Sequence, residues 1–147
     1  MILSDDLTSL KLMRIFIGGF VNNSEIRLFK QPCDLVNQIC SSPEICPDVL
    51  IVDFDMPTTP VLELIESFSH FFNQTHGVRP PFRIVLYTDL LHDIVKVADI
   101  SKNNTSVEYL KALNLSETKL TNDELHVDVV VSKPLDAEKI GFIFSKV

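Results

Sequence analysis

The sequence predicts an α/β protein: a doubly wound parallel sheet of five strands with helices on both faces. Three observations carry this. Val49-Leu50-Ile51-Val52 is an unbroken apolar run, lacking the alternation of a strand with one wet face, and such runs belong to parallel strands covered on both sides. Residues 82–88 and 127–131 each contain a shorter run of the same kind, and polar residues close each run. Between the strands lie segments with apolar residues at helical spacing, so strand and helix alternate along the chain.

Taken in order, Met1-Ile2-Leu3 is a very short first strand, and Asp5-Asp6 precede a helix starting at Leu7. Leu10, Leu12, Met13, Ile15, Phe16 and Phe20 give that helix a wide apolar face, and the two carboxylates favour its N-terminus. Residues 25–30 alternate polar and apolar, the period of a strand, and Pro32 ends it. Residues 34–40 carry Leu35, Val36, Ile39 and Cys40 on one helical side, and 41–47 turn into the central strand. That strand breaks off at Asp53, and Pro57 prevents it from continuing. Pro60 suits the first turn of a third helix, where a missing N–H costs nothing. Its apolar residues reach about Phe72, and 73–81 form a polar, Pro-rich loop.

After the fourth strand, residues 92–100 read as a helix, and 101–126 are an insertion in the connection between strands four and five. The fifth strand closes at Ser132-Lys133-Pro134. A terminal helix from Ala137 carries Ile140, Phe142, Ile143 and Phe144 inward. Right-handed crossovers and the element count fit the flavodoxin-like strand order 2-1-3-4-5.

The 147 residues amount to one domain, without internal repeats, and a net charge of −7 argues against a nucleic-acid surface. No apolar stretch approaches the length of a membrane span, and no basic-then-apolar leader opens the chain. Cys33, Cys40 and Cys46 have no metal-ligand spacing and read as reduced, mostly buried thiols of a cytosolic protein. His76, His92 and His126 read as surface residues; His70, on a Phe-rich helix, reads as half-buried.

The chemistry collects at the carboxyl ends of the strands, where open α/β sheets bind ligands. The first strand offers Asp5 and Asp6, the third Asp53, the fourth Thr88 and the fifth Lys133. With strands one and three adjacent, three carboxylates converge. Their mutual repulsion, roughly 1 kcal/mol per pair even at water's dielectric, makes sense around a hard cation such as Mg²⁺. Lys133 adds a cation for an anionic group and Thr88 a hydroxyl donor. A carboxylate nucleophile, a divalent ion, an ammonium and a hydroxyl are the parts needed to carry a phosphoryl group on Asp53.

On Asp5-Asp6, Asp53 with Met56-Pro57, Thr88 and Lys133-Pro134, the chain resembles, over its whole length, a receiver domain of two-component or phosphorelay signalling. The resemblance implies that Asp53 is phosphorylated from a phosphohistidine on a histidine kinase or His-containing phosphotransfer protein. It implies that Mg²⁺ is bound by Asp6, Asp53 and the backbone carbonyl of Asp55, with Asp5 acting through water. Lys133, aimed by a cis peptide to Pro134, would pair with the phosphoryl group. Thr88 would report the modification to the partner-binding face. A cytoplasmic signalling module rather than an enzyme follows, with its partners open to include a second copy of itself. The short first strand hints at a domain of a longer hybrid kinase or regulator.

The sequence departs from that family in three places. Pro60-Val61 stand where Asp-Gly is usual, Asp89 follows Thr88 where a small residue is usual, and Val130 replaces the aromatic switch residue. Two alternatives stand beside this reading. One is a degenerate receiver acting as an unphosphorylated interaction module. The other is a phosphatase similar to the haloacid-dehalogenase family, for which Asp53 and Asp55 would be the D-x-D pair.

Overall fold

The computed structural model describes residues 1–89, 97–99 and 127–145. Its strands are β1 (Ile2–Leu3), β2 (Leu28–Phe29), β3 (Val49–Asp53), β4 (Arg83–Thr88), β5 (Val97–Asp99) and β6 (Val129–Ser132). The helices are α1 (Leu7–Phe20), α2 (Pro32–Ser41), α3 (Val61–His76) and α4 (Ala137–Phe144), with a 3₁₀ turn at Pro43–Ile45. The sheet order is β2-β1-β3-β4-β6-β5. The pairings from β2 through β6 are parallel, so the five parallel strands run 2-1-3-4-5 as expected. Among the described residues no helix is long and apolar enough to cross a membrane.

The fully buried strands distribute their side chains by period two. Leu3, Leu50, Val52, Ile84, Leu86 and Val130 face a core completed by Leu35, Ile39, Ile65, Phe68 and Phe72 of α2 and α3. Ile2, Ile51, Val85, Tyr87, Val129 and Val131 face the other, completed by Leu10, Met13 and Ile17 of α1 with Ile140 and Ile143 of α4. One strand set thus supports two cores, which is why the runs carry no polar alternation.

Local chemistry sets the helix ends. Asp6 caps α1 and Asp136 caps α4, their side chains accepting from the backbone N–H of Thr8 and Lys139. Pro32 is the first residue of α2 rather than the end of β2, in keeping with its fixed φ. Gly77, at φ 65°, closes α3 in the left-handed conformation, and its N–H donates to the Asn73 carbonyl. This carries α3 one turn past the expected limit at Phe72. The Arg83 guanidinium reaches the Ile143 carbonyl at 2.8 Å, satisfying an open acceptor at the end of α4.

Several expectations are corrected. Residues 97–99, expected within a helix, form a strand antiparallel to β6 at the sheet edge, where β-branched Val97 suits extended backbone. The insertion 101–126, with His126, lies outside the described residues, as does His92. In α1 only Leu10, Met13 and Ile17 are buried, while Leu12, Ile15, Phe16 and Phe20 stay exposed. The sheet covers only a narrow stripe of a helix that is apolar over a wider arc. His70 is exposed rather than half-buried. Cys33 is exposed and Cys40 and Cys46 only half-buried, all three free; burial pushes the Cys40 and Cys46 thiols above their ordinary pKa.

Burial rather than hydropathy therefore decides what an isoleucine contributes. Ile65 is 0% exposed and Ile15 is 69% exposed. Ile65→Ala should lower the unfolding free energy by about 2–5 kcal/mol, and Ile15→Ala should change it by no more than about 0.5 kcal/mol. Urea denaturation of both variants checks this.

Candidate functional site

Register builds the site. Leu3 pairs with Val52, so the residue that follows β1, Ser4, falls beside Asp53. Asp53 pairs with Tyr87, and Thr88 with Ser132. The Lys133 N–H then donates to the Thr88 carbonyl at 3.0 Å, extending the ladder one residue past β6. Four strand ends thus bring Ser4, Asp53, Thr88 and Lys133 to one edge of the sheet.

Asp53 is 3% exposed, so its charge requires donors. Its Oδ2 accepts from the Ser4 hydroxyl at 2.7 Å. Its Oδ1 accepts from Lys133 Nζ at 2.8 Å and from the Asp55 N–H at 3.0 Å. The last contact closes a tight turn of the kind aspartate favours, and it bends the chain back over the strand end. Lys133 is held from behind. Its peptide to Pro134 is cis, and buried Lys139 donates to the Pro134 carbonyl at 2.7 Å while lying 3.4 Å from Asp136.

Asp55 joins the site through its side chain. Its Oδ1 accepts from the Thr88 hydroxyl at 2.7 Å and its Oδ2 from the Asp89 N–H at 2.7 Å. Lys133 Nζ lies 3.1 Å from the same Oδ2. Burial works to raise the Asp55 pKa, but the Asp89 N–H, the Thr88 hydroxyl and Lys133 outweigh it and hold the carboxyl below its usual range. For Lys133, burial works to lower the pKa, while hydrogen bonds and charge from Asp53 and Asp55 hold it above the ordinary value. The ammonium also stands 5.2 Å from the centre of the Tyr87 ring, within reach of a cation–π attraction. No buried side-chain polar atom among the described residues lacks a partner.

Of the residues expected to carry the chemistry, Asp53, Thr88 and Lys133 share this edge, and Asp5 and Asp6 do not complete it as a metal site. Asp6 is committed to α1: its carboxylate accepts from the Thr8 N–H at 3.0 Å and the Ser9 hydroxyl at 2.7 Å. The Ser9 hydroxyl first, then the Thr8 N–H, holds its pKa low. Asp5 is exposed. Among the described residues no three His, Cys, Asp or Glu side chains come close enough to hold one ion. The reason is the chain count between elements. β1 ends at Leu3 and α1 begins at Leu7, so the inward strand-end position falls on Ser4 and the carboxylates fall on the turn and the cap. The oxygen donors suit Mg²⁺ in kind; the arrangement does not fit a directly bound ion.

Sequence reasoning missed Ser4, and as a metal ligand it gave Asp55 only its backbone carbonyl, the side chain entering as the second Asp of the phosphatase alternative. Ile2 and Leu3 both enter cores, on opposite faces of the sheet, so the pattern of β1 cannot mark Ser4 without the register. The Asp-Phe-Asp spacing before Met-Pro did carry a signal for Asp55, because a tight turn returns the second carboxylate toward the first. Val61 begins α3 as a buried residue and Pro60 serves as its cap position, so the unusual pair after the Met-Pro turn is accommodated by packing. Asp89 is exposed and supplies its N–H.

No protein-family model matches the chain, and no curated protein matches it by sequence. Solved structures do match by shape. A two-component response regulator from Cytophaga hutchinsonii superposes with a TM-score of 0.65 at 20% identity, covering 99% of this chain and 92% of that one. The signal receiver domain of a DNA-binding response regulator from Colwellia psychrerythraea gives 0.63 at 14% identity, covering 99% and 93%. A Saccharomyces cerevisiae structure of the phosphotransfer protein Ypd1 with the receiver domain of Ssk1 gives 0.58 at 15% identity, covering 97% and 85%. Across essentially its whole length, the chain carries the fold of response-regulator receiver domains.

Proposed function

We propose that this chain is a single phosphoacceptor receiver domain of two-component or phosphorelay signalling, in which Asp53 takes a phosphoryl group from a phosphohistidine. The observation that carries the reading is the buried Asp53 carboxylate at the end of the central strand, paired with Lys133 at 2.8 Å. In the transfer, an Asp53 carboxylate oxygen attacks phosphorus and forms the O–P bond. The bond from phosphorus to the donor breaks, and the donor leaves with the electron pair. Lys133 neutralises charge on the acceptor and on the incoming group, and Thr88 donates a hydrogen bond to a phosphoryl oxygen. The product is a modified signalling protein, not a released product, so the role is that of an acceptor rather than an enzyme.

The partner in this reading is a histidine kinase or a His-containing phosphotransfer protein. The complex of Ypd1 with a receiver domain of the same fold supports it. Exposed Leu12, Ile15, Phe16 and Phe20 on α1 supply apolar surface for such a contact. A cytoplasmic location belongs to the same proposal, and a homodimer is compatible with it. The Mg²⁺ of the sequence reading rests on the donor chemistry of Asp5, Asp6 and Asp53. Because Asp6 is committed to the α1 cap and Asp5 is exposed, protein side chains alone carry the acceptance step in this proposal.

Intact mass after incubation with acetyl phosphate should rise by one phosphoryl group in the wild type and not in Asp53→Asn. Running both with Mg²⁺ and with a chelator decides the metal requirement. Unmodified protein under all conditions would favour the interaction module, and steady phosphate release from a phosphomonoester would favour the phosphatase.

Lys133 also balances two carboxylates. Lys133→Met should lower stability by about 3 kcal/mol, because it leaves Asp53 buried without its counter-charge. Adding Asp53→Asn to it should recover part of that loss, as thermal or urea unfolding of the two variants will show.

A further inference from the structure

We propose that the Asp55 carboxylate is a built-in occupant of an oxyanion pocket formed by the Thr88 hydroxyl, the Asp89 N–H and Lys133 Nζ. An anionic phosphoryl group enters only when Asp55 swings out. The inference deepens the phosphoacceptor reading and rests on it for its consequence, since Asp55 then sets how fast Asp53 is modified.

The geometry is that of a filled anion site. One carboxylate accepts from a hydroxyl at 2.7 Å, from a backbone N–H at 2.7 Å and from an ammonium at 3.1 Å. The donors come from two different strand ends, and none is adjacent in sequence to Asp55. An ionised carboxylate and a phosphoryl group are both acceptor-only anions that satisfy the same donors. Both cannot sit there at once, because two anions within a few Å repel while competing for three hydrogen bonds. Lys133 is shared, reaching Asp53 Oδ1 at 2.8 Å and Asp55 Oδ2 at 3.1 Å. Departure of Asp55 therefore leaves the ammonium beside the acceptor oxygen.

The occupant can leave without unfolding the site. The Asp55 side chain is 24% exposed, against 4% for Asp53, so a rotation at its side-chain bonds reaches water. Its backbone N–H, hydrogen-bonded to Asp53 at 3.0 Å, keeps the turn in place during that rotation. The Asp55 side chain is a positioning and gating group for the pocket; the acceptor remains Asp53.

The test follows the Asp89 amide in nitrogen–proton correlation spectra of the full chain titrated with inorganic phosphate. The comparison is between wild type and Asp55→Ala, with the near-isosteric Asp55→Asn as a second variant. With an internal competitor removed, apparent phosphate affinity should rise about tenfold or more in Asp55→Ala and change in the same direction in Asp55→Asn, the amide shift saturating. The initial rate of labelling by acetyl phosphate should rise in parallel. Equal phosphate affinity in wild type and both variants, including no binding in any, overturns the proposal. The two readings fail separately. Gained phosphate binding with no labelling in any form would keep the occupied pocket and remove the phosphoacceptor. Unchanged binding with labelling at an unchanged rate would keep the phosphoacceptor and remove the gate.

Discussion

The site is organised around one carboxylate, Asp53, buried where water hardly reaches. A buried anion is tolerated only with close counter-charge and a full set of donors, and Asp53 obtains both. Lys133 supplies the charge, Ser4 and the Asp55 N–H the remaining hydrogen bonds. Much of the surrounding structure serves to bring these three groups to that point. The parallel pairing of β1 with β3 delivers Ser4, and the pairing of β4 with β6 delivers Lys133. The turn after β3 delivers the N–H.

The lysine is held as firmly as the carboxylate. Its backbone extends the β6 ladder onto the Thr88 carbonyl, and Lys139 holds the next peptide through the Pro134 carbonyl. Lys139 is itself buried, with its ammonium near the α4 cap Asp136. A cation on a flexible stem loses less freedom on pairing when its backbone is already fixed. The same fixing places the ammonium where it meets both carboxylates, so one residue couples the central strand end to the Asp55 turn.

The two cores have different partners and different consequences. α2 and α3 close one face with large side chains, Phe68 and Phe72 packing edge-on against Phe82. The other face is closed by α1 and α4, and here the helix is more apolar than the sheet requires. Leu12, Ile15, Phe16 and Phe20 stay on the surface, on the helix whose N-terminal cap, Asp6, follows Ser4 by two residues. This is apolar surface that folding does not consume, on the helix that begins beside the chemistry.

The sequence alone determined the doubly wound sheet, because burial on both faces removes polar alternation and connects the strands by helices. It also determined Asp53, Thr88 and Lys133 as strand-end residues, since each closes an apolar run. The strand at 97–99 was not legible, because three residues are too few to show a period. Register was beyond it as well. Whether Ser4 or an aspartate meets Asp53 depends on which residue of β1 lies opposite Val52, and a shift of one residue exchanges the two faces of a strand. The same holds for Asp6, whose carboxylate suits a helix cap or a metal equally well in one dimension. Only the tertiary structure assigned it to the cap and turned the Asp55 side chain toward Thr88 and Lys133, because contacts between strand ends depend on pairing across the sheet rather than on neighbours along the chain.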